Sequence, residues 1–200
     1  MAQITLETIL EKTYIYVGGD AEVRSHKKGG KYNNAWGLVG NVEGGNIFAS
    51  GRGNYVGDGN ANLTYSGSTD ETCLVVADKS QIEQNIAGGG YIGIAKNSLI
   101  YILDNATIGK NVYGGTMTPR SLSSSWYAQT TDIRMYGGTV EGSIYGGHYQ
   151  GTGNAGKIQQ TTTLHIDGGT VGSGNEGDGV FGGGNQGEVG GNTKVIVNSL

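Results

Sequence analysis

Ile133-Arg134-Met135-Tyr136-Gly137-Gly138-Thr139-Val140-Glu141-Gly142-Ser143-Ile144-Tyr145-Gly146-Gly147 is the stretch that decides the fold. It reads as a short alternating run, a corner at Tyr136, a Thr139-Val140 step and an aliphatic-aromatic-Gly-Gly exit. Alternate side chains of a strand share a face, so Ile133 and Met135 are expected inward and Arg134 in solvent. The run is too short, and of the wrong period, for a helix.

The same order recurs on both sides. Val75-Val-Ala-Asp78 leads through Ile82 to Ile86-Ala87-Gly88-Gly89, and Tyr101-Ile-Leu-Asp104 leads through Thr107-Ile108 to Val112-Tyr113-Gly114-Gly115. Leu164-His-Ile-Asp167 leads through Gly169-Thr170-Val171 to Val180-Phe181-Gly182-Gly183, and a fifth run starts at Val195-Ile-Val197. The anchors Asp78, Asp104, Tyr136 and Asp167 stand 26, 32 and 31 residues apart. This alignment puts Tyr101 with Leu103, and Leu164 with Ile166, on the inward face, and His165 outside.

Repeats of this length predict an all-β fold, a parallel β-solenoid with coils of about 26–32 residues, each unit stacking on the next. Neighbouring strands lie about 4.8 Å apart, so Ala87, Tyr113, Tyr145 and Phe181 are expected to form a stacking ladder, and Thr107, Thr139 and Thr170 another. Residues 75–200 carry clear repeats. Residues 1–74 read as irregular N-terminal coils of the same domain, with Ile47-Phe48 matching Ile144-Tyr145 and Tyr14-Ile-Tyr-Val17-Gly18-Gly19 reading as a worn copy of the exit. Segments 117–130 and 148–160, rich in Ser, Gly, Gln and Thr, are expected to project as contact loops presenting Trp126, Tyr127, His148 and Tyr149.

Composition narrows the function. Forty glycines beside one proline lack the Gly-X-Y period of collagen. A net charge of −4 offers no field for nucleic acid, and the basic cluster Arg24, His26, Lys27, Lys28 and Lys31 reads as a solvated loop. Cys73 alone builds neither a disulfide nor a thiolate zinc site. No apolar run reaches the roughly 18 residues of a membrane span, so membrane insertion is not expected.

Other candidate sites read better as structure. Gly182-Gly-Gly184-Asn-Gln-Gly187 has the spacing of a dinucleotide fingerprint, but Glu188-Val-Gly-Gly is a poor helix start. Asp58-Gly-Asn60-Ala-Asn62 imitates the opening of a Ca²⁺ loop, yet Leu63 and Thr69 stand where Gly and Glu are needed. Asn175-Glu176-Gly177-Asp178 offers oxygens to Ca²⁺ without the calcium-repeat period and reads as a loop. No cofactor is expected. His26, His148 and His165 lack metal spacing and are read as surface residues, and no Gly-x-Ser-x-Gly elbow is present. Asp78, Asp104 and Asp167 would give stacked acids but for Tyr136; a corner side chain bonding its own turn accounts for them.

Gly168-Gly-Thr-Val171 through Val180-Phe-Gly-Gly-Gly-Asn-Gln-Gly187 resembles the glycine-rich repeats of bacterial surface adhesin-like and autotransporter-passenger β-helices. The resemblance implies a right-handed coil and an extracellular or cell-surface stalk, adhesin or filament subunit with no catalytic residues. The expected partners are adjoining repeats, further copies end to end, or a host glycan or protein. The 200 residues then read as a slice of a longer protein or an uncapped filament subunit. The alternatives are a carbohydrate-active β-helix enzyme with paired carboxylates on one face, and a trimeric phage fibre segment.

Overall fold

The computed structural model describes residues 13–24, 45–51, 69–91, 93–117, 128–150 and 156–198. Within them the chain is all-β, with sixteen strands and no α-helix. Every pairing is parallel, and every pairing joins residues that belong to different sequence repeats.

Six longer strands pair in chain order: Thr13–Val17, Thr69–Val76, Ala95–Ile102, Thr130–Val140, Thr161–Val171 and Thr193–Val197. Their facing side chains form columns. Ile15, Leu74, Ile100, Ile133, Leu164 and Val195 make one; Val17, Val76, Ile102, Met135, Ile166 and Val197 make the next. β-Branched and other aliphatic residues suit this packing because like side chains meet on a pleated surface. After each corner Val23, Ile82, Ile108, Val140 and Val171 align, then Ile47, Ile86, Val112, Ile144 and Val180. These columns close on one another as a continuous apolar core.

The register differs from the sequence reading by one residue at one place. Ile133 faces Ile100 and Met135 faces Ile102, so Tyr101 and Leu103 lie on the opposite face of the sheet rather than inward. A one-residue slip exchanges the faces of a strand. Its cause is the corner. Asp78 and Asp104 turn with φ of 59° and 56°, whereas the next two units turn at Gly138 and Gly169, with φ of 80° and 92°. From Ile102 to Thr107 the chain takes five steps, and from Met135 to Thr139, which pair with them, it takes four. Tyr136 and Asp167 are consequently strand residues and not corners.

Two further expectations are corrected. Tyr14 to Val17 is part of a long strand paired with Cys73 to Val76, not a copy of the Gly-Gly exit. The aspartates do not bond their own turns: Asp78 Oδ2 accepts the Gly19 amide at 2.7 Å, and Asp104 Oδ2 accepts the Asp78 amide at 3.3 Å. Each carboxylate thus caps the corner of the preceding unit, which offsets the cost of a left-handed conformation in a residue with a Cβ.

Polar side chains tie the units in two more series. Thr72, Ser98, Thr131 and Thr162 each donate a hydroxyl to the first exit glycine of their own unit, Gly88, Gly114, Gly146 and Gly182, at 2.5 Å. At the residue before each exit, Asn46 Oδ1 accepts the Asn85 amide at 3.0 Å, Asn85 Oδ1 accepts that of Asn111 at 3.1 Å, and Asn111 Oδ1 accepts that of Ser143 at 2.8 Å. Ser143 Oγ then accepts the Gly179 amide at 3.1 Å. Buried polar groups are costly unless paired, and here they are paired by repetition.

Candidate functional site

The outward face of the longer strands changes character along the sheet. Cys73, Val75 and Ala77 are buried there and pack with Tyr14, Leu99, Tyr101 and Leu103. Farther on, the equivalent positions hold Asp132, Arg134, Tyr136, His165, Asp167 and Asn198. This polar strip is the richest cluster of reactive side chains among the described residues.

Its groups are mostly engaged with one another. Arg134 Nε and Nη2 donate to Asp132 Oδ2 at 3.0 and 2.7 Å, and the carboxylate holds the guanidinium charged. The guanidinium carbon lies 5.9 Å from the Tyr101 ring centre, within cation–π reach. Tyr101 and Tyr136 stack at 6.5 Å with planes 16° apart. Burial, opposed by Arg134, raises the Tyr101 hydroxyl above its usual range. His165 Nε2 lies 3.1 Å from Asp167 Oδ1, which also accepts Asn198 Nδ2 at 2.6 Å. Asp132 Oδ1 is buried without a hydrogen bond and is the strip's spare acceptor.

The exit residues form a second feature. The rings of Tyr113 and Tyr145 stack at 5.3 Å and 9°, and those of Tyr145 and Phe181 at 4.9 Å and 11°. Tyr149 meets Tyr113 edge-on at 5.4 Å. The faces of Tyr113 and Tyr145 are therefore turned to neighbouring rings and offer no open platform for a sugar. Phe181 is 40% exposed.

Of the expected contact residues, Trp126 and Tyr127 lie outside the described residues, as do His26 and the segment at Asp58. His148 is not a surface group. Its ring is fully buried, with Nδ1 accepting the Thr116 amide at 2.7 Å. The segment around it does not simply project: Ile158 and Ala128 are buried in a small cluster with Ile94, and Lys157–Ile158 pairs with Glu188–Val189. A strand thus follows Gly182–Gly187 where a dinucleotide site requires a helix. Residues 175–178 form a turn. No group of three or more His, Cys, Asp or Glu that could hold a metal is found among the described residues.

The Asn46, Asn85, Asn111 and Ser143 series escaped the sequence reading. Its signal was present, since each residue directly precedes the aliphatic member of an exit pair. What the fold defines is an all-β chain of parallel strands in curled sheets. Compared with known proteins, the chain matches no family model, no curated protein and no solved structure at a significant level.

Proposed function

We propose that the chain is a parallel β-solenoid whose function is mechanical, as a stalk, adhesive surface or filament subunit outside the cell. The observation that carries this reading is the repeated register: along the longer strands each unit lays aliphatic on aliphatic and hydroxyl on hydroxyl over the next, and from Tyr113 through Tyr145 to Phe181 ring on ring, with a register shift around Tyr136. Backbone hydrogen bonds then run along one axis through every unit, and stretching that axis strains all of them together.

The reading also accounts for the last described strand. Val195 and Val197 are 42% and 65% exposed, whereas Leu164 and Ile166, in the same columns one unit earlier, are 0% and 6% exposed. A further unit of like sequence, from an adjoining repeat or from a second copy, would cover both. The extracellular setting rests on the resemblance to bacterial surface repeats.

Electron microscopy of the purified chain tests the proposal. Rods or end-to-end filaments of one-unit width are expected; compact particles without a long axis would sink it. A glycan-degrading enzyme is the second reading, supported by Asp132 and Asp167 sharing one face. Within this strip both carboxylates already hold a cation or an amide, and only Asp132 Oδ1 is left unbonded, which weighs against a free acid and base pair there. Release of oligosaccharide from polymer by the native chain, abolished in Asp167→Asn, would favour that second reading.

A further inference from the structure

His148 follows Gly146-Gly147 as Thr116 follows Gly114-Gly115 and Gly184 follows Gly182-Gly183. At this position the structure inserts an imidazole where the neighbouring units carry a hydroxyl or nothing. The ring is wholly buried against Gly115, where an added methyl would collide with Nδ1 and Cε1. The His148 carbonyl accepts the Asn185 amide at 3.0 Å, and the Tyr149 amide donates to the Thr116 carbonyl at 3.2 Å. One residue thereby joins three successive units.

We propose that His148 is an acid-operated latch: protonation drives its ring out of the corner shared with Thr116 and Asn185, and frees that corner while the longer strands stay paired. The geometry dictates the direction. Because the Thr116 amide donates to Nδ1, that nitrogen is an acceptor and the ring is neutral, with its proton on Nε2. A second proton would have to enter at Nδ1 and would set two N–H groups against each other. Nε2 is buried and makes no well-formed hydrogen bond; the Lys157 main chain beside the ring favours the charged form, but burial outweighs it.

Nor, among the described residues, does any carboxylate contribute to the ring's electrostatics. The 114–117 segment contributes Gly, Thr and Met; the 184–187 segment contributes Gly, Asn185 and Gln186; Tyr149 is neutral. Lys157, whose main chain adjoins the ring, is itself a cation, and Glu188 is its register partner across the strand pair. Residues 151–155, Gly-Thr-Gly-Asn-Ala, carry no titratable group.

Burial pushes the imidazole from its ordinary 6.5 down to about 4. The unfolded chain therefore takes up a proton that the folded chain refuses. Stability falls as pH drops from 6.5 through about 4, and the folded-to-unfolded ratio approaches a total loss of about 300-fold well below pH 4. This inference does not depend on the mechanical reading.

The test is an NMR titration of the intact chain from pH 7.5 to 3.5, following the His148 Cε1 proton and the exchange of backbone amides, corrected for intrinsic rate. His148 is expected to titrate near pH 4, with the Thr116, Tyr149 and Asn185 amides losing protection together while Ile133 and Met135 keep theirs. His148→Thr, the residue its position carries one unit earlier, should remove this acid limb. An imidazole titrating near 6.5, or Thr116 protection unchanged at pH 3.5, would overturn the proposal, as would an identical acid limb in the variant. Should His148→Thr not fold, the titration of the native ring decides alone.

Discussion

Tyr113 and Tyr145 lie face to face, 5.3 Å apart and within 9° of parallel, although 32 residues separate them. Tyr145 is sandwiched, since Phe181 covers its other face at 4.9 Å. Tyr145→Ala should therefore cost about 2–3 kcal/mol, with loss of the near-ultraviolet circular dichroism of the column. Phe181→Ala, at the exposed end, should cost about 1 kcal/mol or less. Chemical denaturation of both variants checks the order; equal losses would contradict the sandwich.

The exit glycines divide into crowded and open positions. A methyl on Gly114 would collide with the Gly146 carbonyl and lie 2.8 Å from Thr131 Cβ, because the next unit passes directly over it. Gly183 has nothing within 4 Å of the same methyl. Gly114→Ala is expected to lose about 2–3 kcal/mol by overpacking, and Gly183→Ala less than about 0.5 kcal/mol. Thermal unfolding of the pair measures the difference directly.

The hydroxyl series predicts a chemical rather than a steric effect. Thr131→Val keeps the shape and leaves the Gly146 carbonyl without its 2.5 Å donor, at a cost of about 1–2 kcal/mol. Thr131→Ser should be tolerated, since Ser98 serves the same purpose one unit earlier. Urea midpoints that rank serine below valine would refute this assignment.

Alkaline titration probes the ring column from another direction. Burial raises the Tyr113 hydroxyl well above its usual 10, so the folded chain keeps a proton that the unfolded chain gives up. Stability should then decline as pH rises above about 10. Absorbance near 295 nm is expected to show a late phenol ionising together with loss of β-sheet dichroism. A Tyr113→Phe variant that retains that late step would assign it elsewhere.

The repeat unit was legible because the same order of aliphatic, aromatic and glycine pair recurs at Tyr113, Tyr145 and Phe181, although the intervals of 32 and 36 residues differ, and these three residues pair in that order. The strand register was only partly legible. Aligning Asp104 with Tyr136 assumes that all corners have one length, whereas an aspartate corner and a glycine corner differ by a residue and place Tyr101 on the other face. The burial of His148 left no local trace, since its partner is a backbone amide 32 residues away. The outward strip was half visible: alternation placed Arg134 and His165 outside, but not their pairing with Asp132 and Asp167.

The most direct test of the stacked register is a pair of distances measured by pulsed electron resonance, with spin labels replacing outward residues of one column and Cys73→Ala as background. Tyr16, Val75, Tyr101, Arg134, His165 and Ile196 follow one another across adjacent strands. At about 4.8 Å per strand, labels at Tyr101 and Ile196 should lie about 14 Å apart, and labels at Tyr16 and Ile196 about 24 Å apart. Narrow distributions near those values, in that ratio, are the predicted result. A Tyr16 to Ile196 distance beyond about 35 Å, or one shorter than that from Tyr101 to Ile196, would contradict a parallel stack of in-register units.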